Sequence, residues 1–182
     1  MTGLTLWTNL RYRRSMGALH SYTTAIRWTG AGETGTSSYT AYSRDHVVEI
    51  ADKPPILGSA DPAFRGDPAR HNPEELFVAS IAQCHMLWFL HLAAAAGLTV
   101  RGYSDEATGT MRVESAGAGQ FTEVTLHPRV EIDGDTDPSA LEPVHHLAHQ
   151  HCFLSRSVNF PVHVRPTSPL VVETAGEQRA AD

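Results

Sequence analysis

The stretch that decides the fold is NPEELFVASIAQCHMLWFLHLAAAAG, residues 72–97. It carries its own start and stop signals. Asn72 is a capping residue type, Pro73 suits a first helical position, and Glu75 stands where a capping box needs it. Gly97 supplies a left-handed stop, so the pattern predicts a helix from about Pro73 to Ala96. Leu76, Phe77, Val78, Ile81, Met86, Leu87, Trp88, Phe89, Leu90 and Leu92 surround the axis, more apolar surface than one sheet face covers. A helix apolar all round needs a second partner, and a homodimer that buries it is expected.

On the N-terminal side, Tyr22–Trp28, Ser38–Tyr42 and Val47–Ile50 read as short strands of a meander, and residues 52–72, rich in Pro and Gly, read as a long loop. On the C-terminal side, strands are expected at Thr99–Tyr103, Thr108–Glu114 and Phe121–Ile132. A second helix follows, capped by Asp137 and opened by Pro138, whose apolar stripe of Leu141, Val144 or His145, and Ala148 ends at Cys152. Phe160–Arg165 and Leu170–Val172 close the sheets. The order of elements argues α+β, with antiparallel sheets packed on a long central helix. Residues 1–15 are expected to be a disordered extension, 16–174 a single domain and 175–182 a polar tail.

The 182-residue composition, 41% hydrophobic and 19% charged, suits a compact fold. With net charge −6 and scattered Lys and Arg, no basic stripe exists for a phosphate backbone, so nucleic acid is not an expected partner. Gln83, His85 and His91 interrupt the most apolar run, so no membrane span is expected. No secretory pattern follows Arg11, Arg13 and Arg14, and a cytoplasmic location is expected. Two cysteines are no disulfide framework, and in a reducing compartment they are catalytic, metal-binding or plain core.

Cys84 alone, in mid-helix, is equally well explained as core filling. His149-Gln150-His151-Cys152-Phe153-Leu154-Ser155-Arg156 is more distinctive, since a second thiol ends a helix beside cationic residues that favour a thiolate. Taken together, Asn72-Pro73-Glu74-Glu75-Leu76-Phe77, then Ala82-Gln83-Cys84, then His151-Cys152-Phe153-Leu154-Ser155 resemble the OsmC/Ohr family of organic hydroperoxide reductases. That family has N-P-E-[EQ]-L-[FL] ahead of its first cysteine and C-P-x-S around its second. The resemblance covers about Ser21 to Arg165 and implies an intertwined homodimer.

The resemblance implies that Cys84 attacks the distal peroxide oxygen, giving an alcohol and a sulfenic acid, and that Cys152 resolves it as a disulfide. A dithiol such as dihydrolipoamide, or a lipoylated protein, would then reduce that disulfide; no cofactor or resident metal is expected. Glu74 matches a glutamate that pairs with an activating arginine. It lies about 15 Å along a continuous helix from Cys84, so either the helix breaks or a second chain brings the carboxylate near. The family's arginine lies in a turn between the first strands, but Gly30 to Gly35 holds Glu33 and no arginine; Arg44, Arg65 and Arg70 are the replacement candidates. Phe153 and Leu154 also depart from the pattern, and Trp88, Phe89 and Phe153 are candidate pocket walls for an organic peroxide.

Two alternatives remain open. One is a non-enzymatic redox sensor or small-molecule binder on the same fold. The other is a His/Cys zinc site, because His145, His146, His149, His151 and Cys152 cluster, although no HExxH glutamate or CxxC pair accompanies them.

Overall fold

The computed structural model describes residues 18–115 and 117–172. The expected extension at residues 1–15 and tail at 175–182 lie outside the described residues. The chain divides into two compact units, Met1–Glu74 and Glu75–Asp182.

The first unit is a three-stranded antiparallel meander of β1 (Ala25–Trp28), β2 (His46–Glu49) and β3 (Ile56–Gly58). Trp28 pairs with His46, and His46 in turn with Gly58. Two expectations need correction. Ser38–Tyr42 is no strand but part of a turn-rich connection, because the Tyr39 and Tyr42 carbonyls accept from the Arg44 guanidinium (2.9 and 2.7 Å) instead of from a neighbouring strand. The segment expected as loop contains β3, which pairs with β2 once past Pro54 and Pro55, neither of which can donate to a ladder. Close backbone approach explains one glycine there: a Cβ at Gly66 would overlap the Ala60 carbonyl oxygen.

The second unit is built on α1 (Pro73–Ala95), which runs unbroken and ends as its sequence says. Gly97 takes φ +74°, while Gly97 N–H donates to Ala94 O (3.1 Å) and Leu98 N–H to Ala93 O (3.0 Å). Two three-stranded sheets accompany it. One orders β4 (Val100–Asp105), β7 (Pro128–Asp133) and β9 (Leu170–Val172); the other orders β5 (Thr108–Val113), β6 (Gly119–Leu126) and β8 (Val162–Val164). The β4–β7 and β5–β6 pairs are antiparallel. The β7–β9 and β6–β8 pairs are parallel, as the intervening α2 (Leu141–His151) allows by acting as a crossover.

The single strand expected over Phe121–Ile132 is two. The chain changes sheets at His127, whose N–H goes to Asp105 Oδ1 at 2.7 Å rather than to a ladder. Asp137 caps a 3-10 turn, Pro138–Ala140, that feeds α2, with its carboxylate accepting from Ser139 N–H at 2.9 Å. Only one stripe of α1 is fully covered: Ile81, His85, Phe89, Leu92 and Ala93. Ile81 packs with Val124, Leu126 and Val162, and Phe89 and Leu92 pack with Val130, Ile132, Leu141, Val144 and Ala148. Leu87 remains 62% exposed. By length and composition alone α1 is apolar enough to cross a membrane, as core helices also are, so the reading of its polar interruptions at Gln83, His85 and His91 is not overturned.

Candidate functional site

In the second unit the two sulfurs come together. Cys84 lies at mid-height on α1, half-buried, and Cys152 is the fully buried residue that ends α2 in an extended conformation (φ −63°, ψ 110°). The thiols are within hydrogen-bonding reach of each other. The turn after α2 aims backbone donors at them: the N–H groups of Leu154 and Phe153 approach Cys84, and that of Ser155 approaches Cys152 Sγ at 3.5 Å. Phe153, which departs from the C-P-x-S pattern, thereby supplies an N–H that a proline would lack. Burial pushes the Cys84 thiol up, the Leu154 N–H opposes it, and the neighbouring Cys152 adds to the rise; the net direction is upward. No cation is among the groups that shift it.

Glu74 opens α1 in its first turn, and the continuity of the helix removes the broken-helix route to Cys84. In the first unit Glu74 lines a recess of about 440 Å³ together with Trp28, Tyr42, Arg44, His46 and Phe64. Arg44 is held there by more than its two carbonyl bonds, since its guanidinium carbon sits 4.4 Å from the Tyr39 ring centre and 4.2 Å from that of Tyr42. Arg70 is committed elsewhere, to Asp45 (3.7 Å) and Asp67 (3.6 Å). Arg65 follows the short 3-10 turn Pro62–Phe64 in a left-handed conformation, 5.9 Å from the Tyr39 ring. The connection between the first two strands runs from the end of β1 to the start of β2, so Arg44 lies in it.

Of the expected pocket walls, Trp88 and Phe153 meet edge to face at 5.5 Å, whereas Phe89 is core. The histidine cluster divides. His146 and His151 are exposed, but His145 is buried and meets His85 of α1: His85 Nε2 and His145 Nδ1 are 3.2 Å apart, with ring planes within 2°. Phe89 stacks on His145 at 4.1 Å. Burial holds His85 at a pKa of about 4, with His149 adding to the fall, and His145 at about 3, with His85 adding to it. The pair was legible in part, because His85 continues the Ile81 to Phe89 stripe at four-residue spacing and His145 sits on the apolar stripe of α2. Among the described residues, no three His, Cys, Asp or Glu side chains converge as metal ligands, which removes the geometric basis of the zinc alternative.

Comparison with known proteins agrees with this architecture. Residues 66–167 match the family model for OsmC-like protein. Among solved structures, an OsmC-like protein of unknown function from Vibrio cholerae is 34% identical, with TM-score 0.74, over 82% of this chain and 100% of that one. An organic hydroperoxide resistance protein OsmC from Legionella pneumophila (20% identity, TM-score 0.60, 85% and 100% covered) shares the fold. So does the organic hydroperoxide resistance protein OhrB of Bacillus subtilis (20%, 0.58, 82% and 100%). A search of curated proteins finds no match. With more than half its length matched and a one-third-identical relative covered end to end, the chain belongs to the OsmC-like family.

Proposed function

We propose that this chain is a thiol-dependent peroxidase that reduces organic hydroperoxides to alcohols. The Cys84 thiolate takes the distal oxygen of ROOH, releasing ROH once the leaving alkoxide gains a proton, and becomes a sulfenic acid. The Cys152 thiol condenses with it, expelling water and forming a disulfide. A dithiol such as dihydrolipoamide, free or carried on a protein, returns both thiols by exchange. The observation that carries the reading is the juxtaposition of two sulfurs from separate helices, one half-accessible and one buried.

Activation of Cys84 is assigned to Arg44, paired with Glu74. Of the three candidate arginines it is the one that shares a recess with Glu74 and also lies between the first two strands, as the family pattern asks. A cytoplasmic homodimer is part of the proposal. It is supported by apolar surface left uncovered on single chains, at Ile26 (70% exposed), Leu57 (51%) and Leu87 (62%). The second reading, a redox sensor without efficient turnover, draws on the raised Cys84 thiol.

Consumption of cumene hydroperoxide with dihydrolipoamide separates the two. Turnover should vanish in Cys84→Ser, while Cys152→Ser should consume one equivalent and stop. A wild-type rate no higher than that of free cysteine overturns the peroxidase reading in favour of the sensor.

A further inference from the structure

The buried histidines have no part in the chemistry proposed for the thiols, yet their position is specific. His85 follows Cys84 directly on α1, and His145 lies on α2 two turns before Cys152. Their ring–ring hydrogen bond is a polar cross-link between the two helices that carry the sulfurs. We propose that the His85–His145 hydrogen bond is the clamp that holds Cys84 and Cys152 in register for disulfide formation, making both histidines positioning residues. The inference rests on the two-thiol reading of the site but not on peroxide being the oxidant.

The bond requires one ring to donate and the other to accept, so at least one imidazole must stay neutral. The surroundings enforce this. Phe89 of α1 stacks on His145, and Val130 of β7 lines a recess with it. From β4, Tyr103 lies beyond Phe89 (5.5 Å between rings), and burial pushes its phenol well up, so it carries no charge in acid. On α2 itself, His149 acts on His85 with like charge, and His163 of β8 acts on His149 in the same sense. Glu142, near His145 on the rim of a surface recess, is exposed. Among the described residues no carboxylate is among the groups that shift either ring, so nothing offsets a proton taken up by the pair. Acid therefore opposes the clamp.

Exchange with dithiothreitol tests this. The protein disulfide plus the dithiol gives the protein dithiol plus the cyclic disulfide; two protons and two electrons pass from one sulfur pair to the other. Below the thiol pKa values this equilibrium is independent of pH unless another group titrates differently in the two forms. For the full chain, the constant favouring the protein disulfide should stay nearly flat from roughly pH 7 to 5 and fall about threefold by roughly pH 3.5, as the folded values of the two rings are approached.

His145→Phe keeps the stack on Phe89 and removes the bond, and should lower the constant about tenfold at neutral pH, the worth of one buried hydrogen bond. His145→Asn and His85→Gln put an amide where the bonding nitrogen stood, and should stay within about threefold of wild type at neutral pH while losing the acid fall. A His145→Phe constant within threefold of wild type, or an acid fall unchanged in the amide variants, overturns the clamp. Should His145→Phe not fold, the amide pair and the wild-type pH profile still decide. A wild-type chain that forms the disulfide but consumes no hydroperoxide overturns the peroxidase reading alone; full turnover and exchange in His145→Phe overturn the clamp alone.

Discussion

Lowering the pH of the reduced protein from 7 to 5 should cost it stability, and the histidine pair should account for most of the loss. Both rings have folded pKa values below the ordinary 6.5, about 4 for His85 and about 3 for His145. The unfolded chain therefore binds more protons across this window, and stability falls with pH from about 6.5 until the folded values are reached. At pH 5 each ring withholds a proton across roughly 1.5 pH units, worth about 2 kcal/mol, so the pair accounts for up to about 4 kcal/mol. That is a large share of the 5–15 kcal/mol typical of a domain. Carboxylates titrate nearby and must be separated out. Asp133, drawn down by Arg101, and Asp137, drawn down by Ser139, also lose stabilisation in acid, whereas Asp105, pushed up by burial, works the other way. All three remain in a His85→Gln/His145→Asn double variant. Urea unfolding of wild type and variant at both pH values isolates the histidine contribution as the difference between two differences. Equal losses in the two proteins, within about 0.5 kcal/mol, would refute the buried-neutral assignment.

Three further outcomes are expected. Phe153→Pro removes the N–H that approaches Cys84 and should raise its thiol pKa, read from thiolate absorbance against pH; an unchanged titration would mean that this donor does not act on the sulfur. Gly66→Ala drives a Cβ into the Ala60 carbonyl and should destabilise the first unit by about 3 kcal/mol in thermal or urea unfolding, so a neutral result would contradict the close approach. Arg44→Met should remove peroxide turnover while leaving Cys84–Cys152 disulfide formation by a thiol oxidant intact; full turnover would return activation to another cation.

The long helix was legible end to end because its signals are local: Pro73 at its first turn, Gly97 beyond its last and apolar residues between. The second helix was legible for the same reason, down to Cys152 at its end. What escaped was set by partners remote in sequence. The connection around Tyr39 and Tyr42 has β-forming composition, but Arg44 takes up its carbonyls, and β3 follows two prolines that read as loop. At His127 a continuous β pattern changes sheets because Asp105 intercepts one backbone N–H, and no periodicity reports that. The candidate site followed the same rule. The cysteines were found by motif, while the histidine pair lay half-hidden as two polar residues on otherwise apolar stripes.

The unequal burial of the sulfurs imposes a direction on any oxidation. An oxidant arriving from solvent meets Cys84 first, and Cys152, with no exposed surface, reacts only with a sulfur that already faces it. Damage by excess oxidant should then accumulate as higher oxyacids of Cys84 while Cys152 stays intact, so that a mass spectrum of stressed protein reads out which sulfur failed to be rescued in time.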